Sequence, residues 1–223
     1  MKSKVRFSFV VVAVLVTLGS VCSSMAFASE HAEEKKNNKV FFRGAYSRLI
    51  TSRGNEVFTD TLSAAGVNGG KGGFSVGAGL DLGLMKPGEI AGVASLAGEI
   101  FLEYSRFSHA LVRQTTSALL AGTNNSTVDV TELNVGVNPK VRFDNLGRFR
   151  PFVIPAGLAF LVVSPPSNDS TYLDIGLNFG AGVDFEVCKW MTLGVDARYT
   201  HGFKTNNTNT SYFSTGASVG VLF

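Results

Sequence analysis

Three histidines, two cysteines and one glycine-rich run are the residues of this 223-residue chain that could do chemistry. A His beside a Ser on one strand would suit a hydrolytic nucleophile, because the imidazole must reach the hydroxyl it deprotonates. His201 is followed by Gly202-Phe203-Lys204, not by such a serine. His109 follows Ser108, but neighbouring strand residues point to opposite faces. His31 lies in a polar stretch with no strand pattern to position it. No Cys/His cluster has metal-ligand spacing. The run Gly66-Val67-Asn68-Gly69-Gly70-Lys71-Gly72-Gly73 leads into a strand pattern, not a helix, so it reads as an outer loop and not a phosphate cradle. These residues predict a non-enzyme with no catalytic, cofactor or metal site. His201 is expected to be interfacial, on the Tyr199 face.

The elements that must position any chemistry begin after a leader. Lys2, Lys4 and Arg6 precede an apolar stretch, Phe7 to Leu18, and Ala26-Phe27-Ala28 offers small residues for cleavage. Residues 1–28 read as a secretory signal peptide. Cys22 follows Gly19-Ser20-Val21, a poor match for lipidation, and cleavage after Ala28 leaves Cys188 as a lone thiol. The leader holds three of the 20 basic residues and no acid, so 17 basic residues face 17 acidic ones in the mature chain. That balance leaves no basic field for nucleic acid. The mature chain shows no apolar run of about 20 residues, the length of a membrane helix. Only helices and closed barrels satisfy every backbone group in hydrocarbon, so a membrane-spanning chain of this kind must be a barrel.

Residues 29–38 form a short periplasmic lead-in, and 39–223 carry eight alternating segments. These are Lys39–Ile50, Gly73–Leu84, Leu96–Phe107, Asp129–Phe143, Arg150–Ser164, Leu173–Val187, Trp190–His201 and Ser211–Phe223. Each can cross a tilted bilayer path of roughly 9–11 residues. In the sixth, Leu173, Ile175, Leu177, Phe179, Ala181, Val183 and Phe185 oppose Asp174, Gly176, Asn178, Gly180, Gly182, Asp184 and Glu186. The fourth contains Pro139, which lacks the ladder N–H and marks a bulge near the strand's end. The fifth is apolar on both faces, so periodicity leaves its register open. Connectors after odd-numbered strands are longer or more polar, apart from the long Met85–Ser95. That asymmetry places both termini in the periplasm. The predicted fold is an all-β, eight-stranded antiparallel up-and-down transmembrane β-barrel. A soluble barrel of the same pattern, with its apolar faces inward, is the alternative.

With polar faces inward, the lumen holds Asp81, Glu99, Glu103, Glu132, Asp174, Asp184, Glu186 and Asp196 against Arg43, Lys140, Arg142 and Arg198. A barrel of this size is just filled by side chains, and buried charges must pair. Expected groups are Arg43 with Asp81, Glu99 with Lys140 or Arg142, and Asp196 with Arg198. The excess of acids and the many inward glycines keep a narrow water-filled, cation-favouring channel open as a second reading. The outer segment Ser108–Val128, with Leu111, Val112, Leu119 and Leu120, is expected to be a loop with its own small apolar cluster.

The final strand sets Phe213, Val219, Val221 and Phe223 on one face and Tyr212, Ser214, Gly216 and Ser218 on the other. It resembles the C-terminal assembly signal of bacterial outer-membrane barrels, carried here by Tyr212, Phe213, Val219, Val221 and Phe223. The mature chain as a whole resembles the small outer-membrane β-barrel superfamily, the OmpA/OmpX-like and porin-family proteins. The matching residues are Val40 to Ser47, Arg150-Pro151-Phe152-Val153, Gly194 to Tyr199 and the terminal strand. The resemblance implies a Gram-negative cell outer membrane, contact with its lipid and lipopolysaccharide, and recognition by the barrel-assembly machinery. It implies a structural or surface-interaction role with a ligand at the loops, ahead of a narrow porin-like channel and a lipid-modifying enzyme. No cofactor is expected. The peptidoglycan-binding domain of OmpA-type proteins is expected to be missing.

Overall fold

The computed structural model describes residues 37–50, 71–113, 125–164, 172–203 and 211–223. The leader, His31 and residues 66–70 lie outside them, as does the lead-in before Asn37. The described residues form β1 (Lys39–Leu49), β2 (Gly72–Gly83), β3 (Ala94–Arg113), β4 (Asn125–Phe143), β5 (Phe149–Ser164), β6 (Tyr172–Cys188), β7 (Met191–Gly202) and β8 (Tyr212–Leu222). Every strand pairs antiparallel with its sequence neighbours, and β1 closes on β8. Closure leaves no unpaired sheet edge, which is what hydrocarbon demands of a β-protein.

The side-chain pattern runs opposite to that of a water-soluble fold. Asp81 and Glu99 are 0% exposed, while Phe42 is 67% and Leu173 63% exposed. Buried charge and a continuous outward apolar face exclude the soluble inversion and match a barrel in lipid. A charge on the lipid face costs about 2–4 kcal/mol at the bilayer midplane and little at the interface. Correspondingly, Arg48, Arg106 and His201 are the charged or imidazole side chains on the outward strand positions whose side chains are described, all towards the end away from the chain termini. Outward residues meet across every seam, as in Val40↔Val221 and Phe42↔Val219 between β1 and β8.

The turns at the end holding Asn37 and Phe223 are compact. Gly88 and Gly92 take positive φ in the β2–β3 turn, and Ala91 joins them at φ 51°. Asp144 accepts from the Gly88 N–H at 3.1 Å, and the Asn145 amide donates to Gly92 O at 2.8 Å, tying that turn to the β4–β5 turn. These bonds account for the length of Met85–Ser95, which folds as a braced turn. At the opposite end the strands run further than the sequence pattern suggests. Leu111 and Val112 belong to β3, in ladder with Thr127 and Ser126. They are strand residues, not members of a loop cluster, and the β-branched residues of 125–130 favour that continuation.

The register of β5, open in sequence, is decided by a bulge. Arg150, Phe152 and Ile154 face the interior, then Pro155 and Ala156 both face out, and Gly157, Ala159 and Leu161 face in again. The β5–β6 ladder slips between Ile154 and Gly157, and the β4–β5 ladder slips between Val137 and Val141, around Pro139. Two prolines without N–H donors face the same irregular seam. On its other side Pro139 stays in register with Gly98.

Candidate functional site: an ion-paired barrel interior

The inward faces of all eight strands meet in one polar column, and its contacts are built in layers. Nearest the chain termini, Asp81 on β2 gathers three bases. Lys140 Nζ donates to it at 3.1 Å, Lys39 Nζ lies at 3.4 Å, and Arg142 Nη2 makes a 2.9 Å charge contact without hydrogen-bond alignment. Lys39 also bonds Asp184, and Arg150 pairs with Glu186 at the mouth. Arg142 Nη1 reaches across to donate to Asn37 O at 2.8 Å and Asn37 Oδ1 at 3.0 Å.

The middle layer centres on Glu99, which is fully buried. Arg198 donates to it twice, at 2.7 and 3.1 Å, Lys140 at 3.0 Å and the Asn138 amide at 2.9 Å. A forked pair with two further donors is the geometry that offsets desolvation of a buried carboxylate. Aromatic rings fill the space between the cations. Lys140 Nζ stands 3.9 Å from the Phe152 centroid, and Arg198 Cζ stands 5.0 Å from that of Phe101. These are cation–π distances.

Above it, Arg43 bridges two acids. It bonds Glu103, places Nη2 2.6 Å from Asp196 Oδ1, and donates to Ser214 Oγ at 3.2 Å. Asp196 also faces Arg198 at 3.4 Å. The Tyr212 hydroxyl donates to Glu103 at 3.3 Å and accepts from the Asn134 amide at 2.9 Å. A hydroxyl chain through Ser47, Ser75 and Ser105 follows, and Leu49, Phe107 and Tyr212 form an apolar cap. Glu132 and Asp174 are buried in this upper half, and Glu132 Oε1 has no hydrogen-bond partner.

Placement and pairing differ from the sequence reading in three ways. Arg43 pairs with Glu103 and Asp196, not Asp81; its neighbour across the ladder is Gly77, two places from the Gly79 that the Phe41 ring covers. Lys39 and Arg150 join the interior, so among the described residues six bases face the eight acids, and the excess falls from four to two. Lys39 shares the parity of Arg43 and was legible on that ground. Arg150 was not, because β5 carries no polar–apolar alternation. Finally, several inward glycines are covered by neighbouring side chains. A side chain at Gly79 would meet the Phe41 ring, at Gly136 that of Phe101, at Gly182 that of Phe152, and at Gly220 the stem of Lys39. Glycine there makes room for a large neighbour.

The exposed His201 lies on the outward face, its ring against Tyr199 and Phe203. Its Nδ1 is 3.1 Å from the Tyr199 hydroxyl and 3.5 Å from Ser211 Oγ. That Ser–His approach joins β7 to the residue before β8 and was invisible in the sequence. Ser211, however, is 3% exposed, and its Oγ accepts the Gly202 N–H at 3.2 Å. A buried hydroxyl engaged by backbone is poorly placed to attack a lipid carbonyl. Among the described residues no group of His, Cys, Asp and Glu could hold a metal ion.

A family model described as outer membrane protein beta-barrel domain matches residues 14–223. No curated protein matches the chain. Among solved structures, Neisserial surface protein A is similar at 18% identity and a TM-score of 0.54, over 84% of this chain and 97% of that one. The N-terminal β-barrel domain of Pseudomonas aeruginosa OprF follows at 15% identity and 0.43, over 84% of this chain and 98% of that one. Ail, the attachment invasion locus protein of Yersinia pestis, has 12% identity and a TM-score of 0.43, over 85% and 99%. These likenesses concern the fold.

Proposed function

Since this chain belongs to the outer membrane protein beta-barrel domain family, we propose that it is a non-catalytic barrel whose role is structural and surface-interacting. Its extracellular loops form the contact surface. Residues 1–28 are removed on export through a Gram-negative envelope, and both termini face the periplasm. The assembly machinery reads Tyr212, Phe213, Val219, Val221 and Phe223 in the terminal strand. Lipid and lipopolysaccharide surround the apolar belt.

The observation that carries this reading is the filled interior. Ion pairs, aromatic rings and the Leu49–Phe107–Tyr212 cap occupy successive layers. Conduction would require buried pairs to separate, which leaves charges buried without partners. The braced turns and the strand ends that join β1 to β8 make a rigid frame on which loops can be displayed. The second reading, a narrow cation-favouring pore, draws on the interior's remaining excess of acids. Planar-bilayer recording separates the two. The closed barrel shows rare, small current steps, and a large steady cation-selective current refutes the structural reading.

A further inference from the structure

Among the outward cations, Arg48 stands apart from the interior network. Arg48 on β1 is exposed on the lipid-facing side and makes no hydrogen bond or ion pair with another of the described residues. Two residues before it on the same face stands Tyr46, 58% exposed. The Tyr46 ring lies across Gly72, the ladder partner of Arg48, and its hydroxyl takes the space a side chain there would need. A glycine at 72 thus lets the phenol lie against the backbone that pairs with Arg48.

Apolar rings flank this pair. Phe179 on β6 is the ladder partner of Tyr199 on β7, Tyr199 that of Phe213 on β8, and Phe213 that of Arg48. On the other side Tyr46 is level with Phe74. Such a row of outward aromatics marks a membrane interface. Height agrees. From Val40 to Arg48 the strand climbs roughly 26 Å at about 3.3 Å per residue, or roughly 20 Å along the axis at a tilt near 40°. Below Arg48 the outward side chains of β1 are Val40, Phe42 and Tyr46, with Gly44 between them. Counted from Val40, Arg48 lies roughly 20 Å up an apolar band about 25 Å tall, so its long side chain reaches the headgroups.

Three properties select the ligand. The site offers a planar fork of donors and, two residues away on the same face, a phenol O–H, and that set suits phosphate oxygens. The aromatic flanks suit acyl chains. None of the outward strand positions with described side chains holds an acid that would oppose an anion. The geometry points to a lipid-binding site at Arg48, Tyr46 and Gly72 that holds the phosphate of a phosphorylated membrane lipid in the leaflet on the loop side, its acyl chains lying along Phe213 and Phe74. The site rests on the outer-membrane reading above but not on whether the barrel conducts.

The test uses the protein folded into phosphatidylcholine nanodiscs doped with diphosphoryl lipid A, then transferred to detergent. Native mass spectrometry reads the lipid that stays bound. The wild type retains lipid A. Arg48→Gln is expected to lose retention roughly tenfold and Tyr46→Phe roughly threefold, the losses expected of a charge-assisted and a neutral hydrogen bond. Arg48→Lys should fall between wild type and Arg48→Gln, because it keeps charge without the fork. Slower migration after heating confirms folding of each variant; should Arg48→Gln not fold, Arg48→Lys and Tyr46→Phe carry the test. Arg106→Gln removes another outward arginine beside Phe74 and should retain lipid as the wild type does. Equal retention by wild type and the Arg48 and Tyr46 variants overturns the site. So does an equal loss in Arg106→Gln, which would mark a diffuse charge effect. Displacement of the lipid by inorganic phosphate in solution overturns the commitment to a membrane lipid. A folded protein of low conductance with equal retention in all variants fails this inference alone.

Discussion

Arg198 is the cation whose removal tests the interior network most directly. Its guanidinium donates twice to the fully buried Glu99, faces Asp196 at 3.4 Å and covers the Phe101 ring. Replacing it by Ala leaves five bases against eight acids in the column and strips Glu99 of its forked partner. Lys140 and Asn138 still reach Glu99, so the loss is that of one member of a buried pair, about 3–5 kcal/mol. At a slope of about 2 kcal/mol per molar urea, the unfolding midpoint in detergent falls by roughly 1.5–2.5 M. Arg198→Met keeps most of the volume against Phe101 but not the charge. If charge is the cause, Met lies within about 1 kcal/mol of Ala. Adding Glu99→Gln to Arg198→Met then recovers at least about 1 kcal/mol, because the orphaned carboxylate is gone. The assay is urea titration followed by heat-modifiable gel mobility for the four proteins. A midpoint shift under about 0.3 M for Arg198→Ala, or full rescue by Met, refutes the argument that ion pairing holds the column together.

Two further perturbations test other parts of the structure. Gly136→Val places a side chain against Phe101 and Asn178, so it should destabilise by about 1–3 kcal/mol through overpacking; an unchanged urea midpoint would show that the interior has room to spare. Deleting Phe223, 52% exposed at the end beside Asn38, should lower the amount of heat-modifiable protein in outer-membrane fractions far more than it lowers refolding yield in detergent. Phe223→Trp should be tolerated better than Phe223→Asp, and equal assembly of wild type, deletion and Asp variant would remove Phe223 from the assembly signal.

What was legible in the sequence is what a period of two can carry. Leu173 to Phe185 against Asp174 to Glu186 defines two faces without any knowledge of neighbours, since successive strand residues point opposite ways. Eight such segments and an aromatic-ended last strand were sufficient for an eight-stranded barrel and for the parity of Arg43, Glu99 and Arg198. Alternation is symmetric, however, and says nothing about which face is inside. Closure of β1 on β8 settled that by burying Asp81 and leaving Phe42 outside. Nor does it carry through a bulge. The slip at Pro155-Ala156 reverses the parity of β5, and only the pairing with β4 and β6 brings both Arg150 and Leu161 to the inner face. Partner choice was the least legible. Arg43 meets Asp196, 153 residues away in sequence, and Ser211 meets His201 across a seam. Such contacts depend on the register of several strands at once and on rings such as Phe41 and Phe101 that take up the space between them. Those are properties of the closed barrel, in which residues far apart in the chain share one interior.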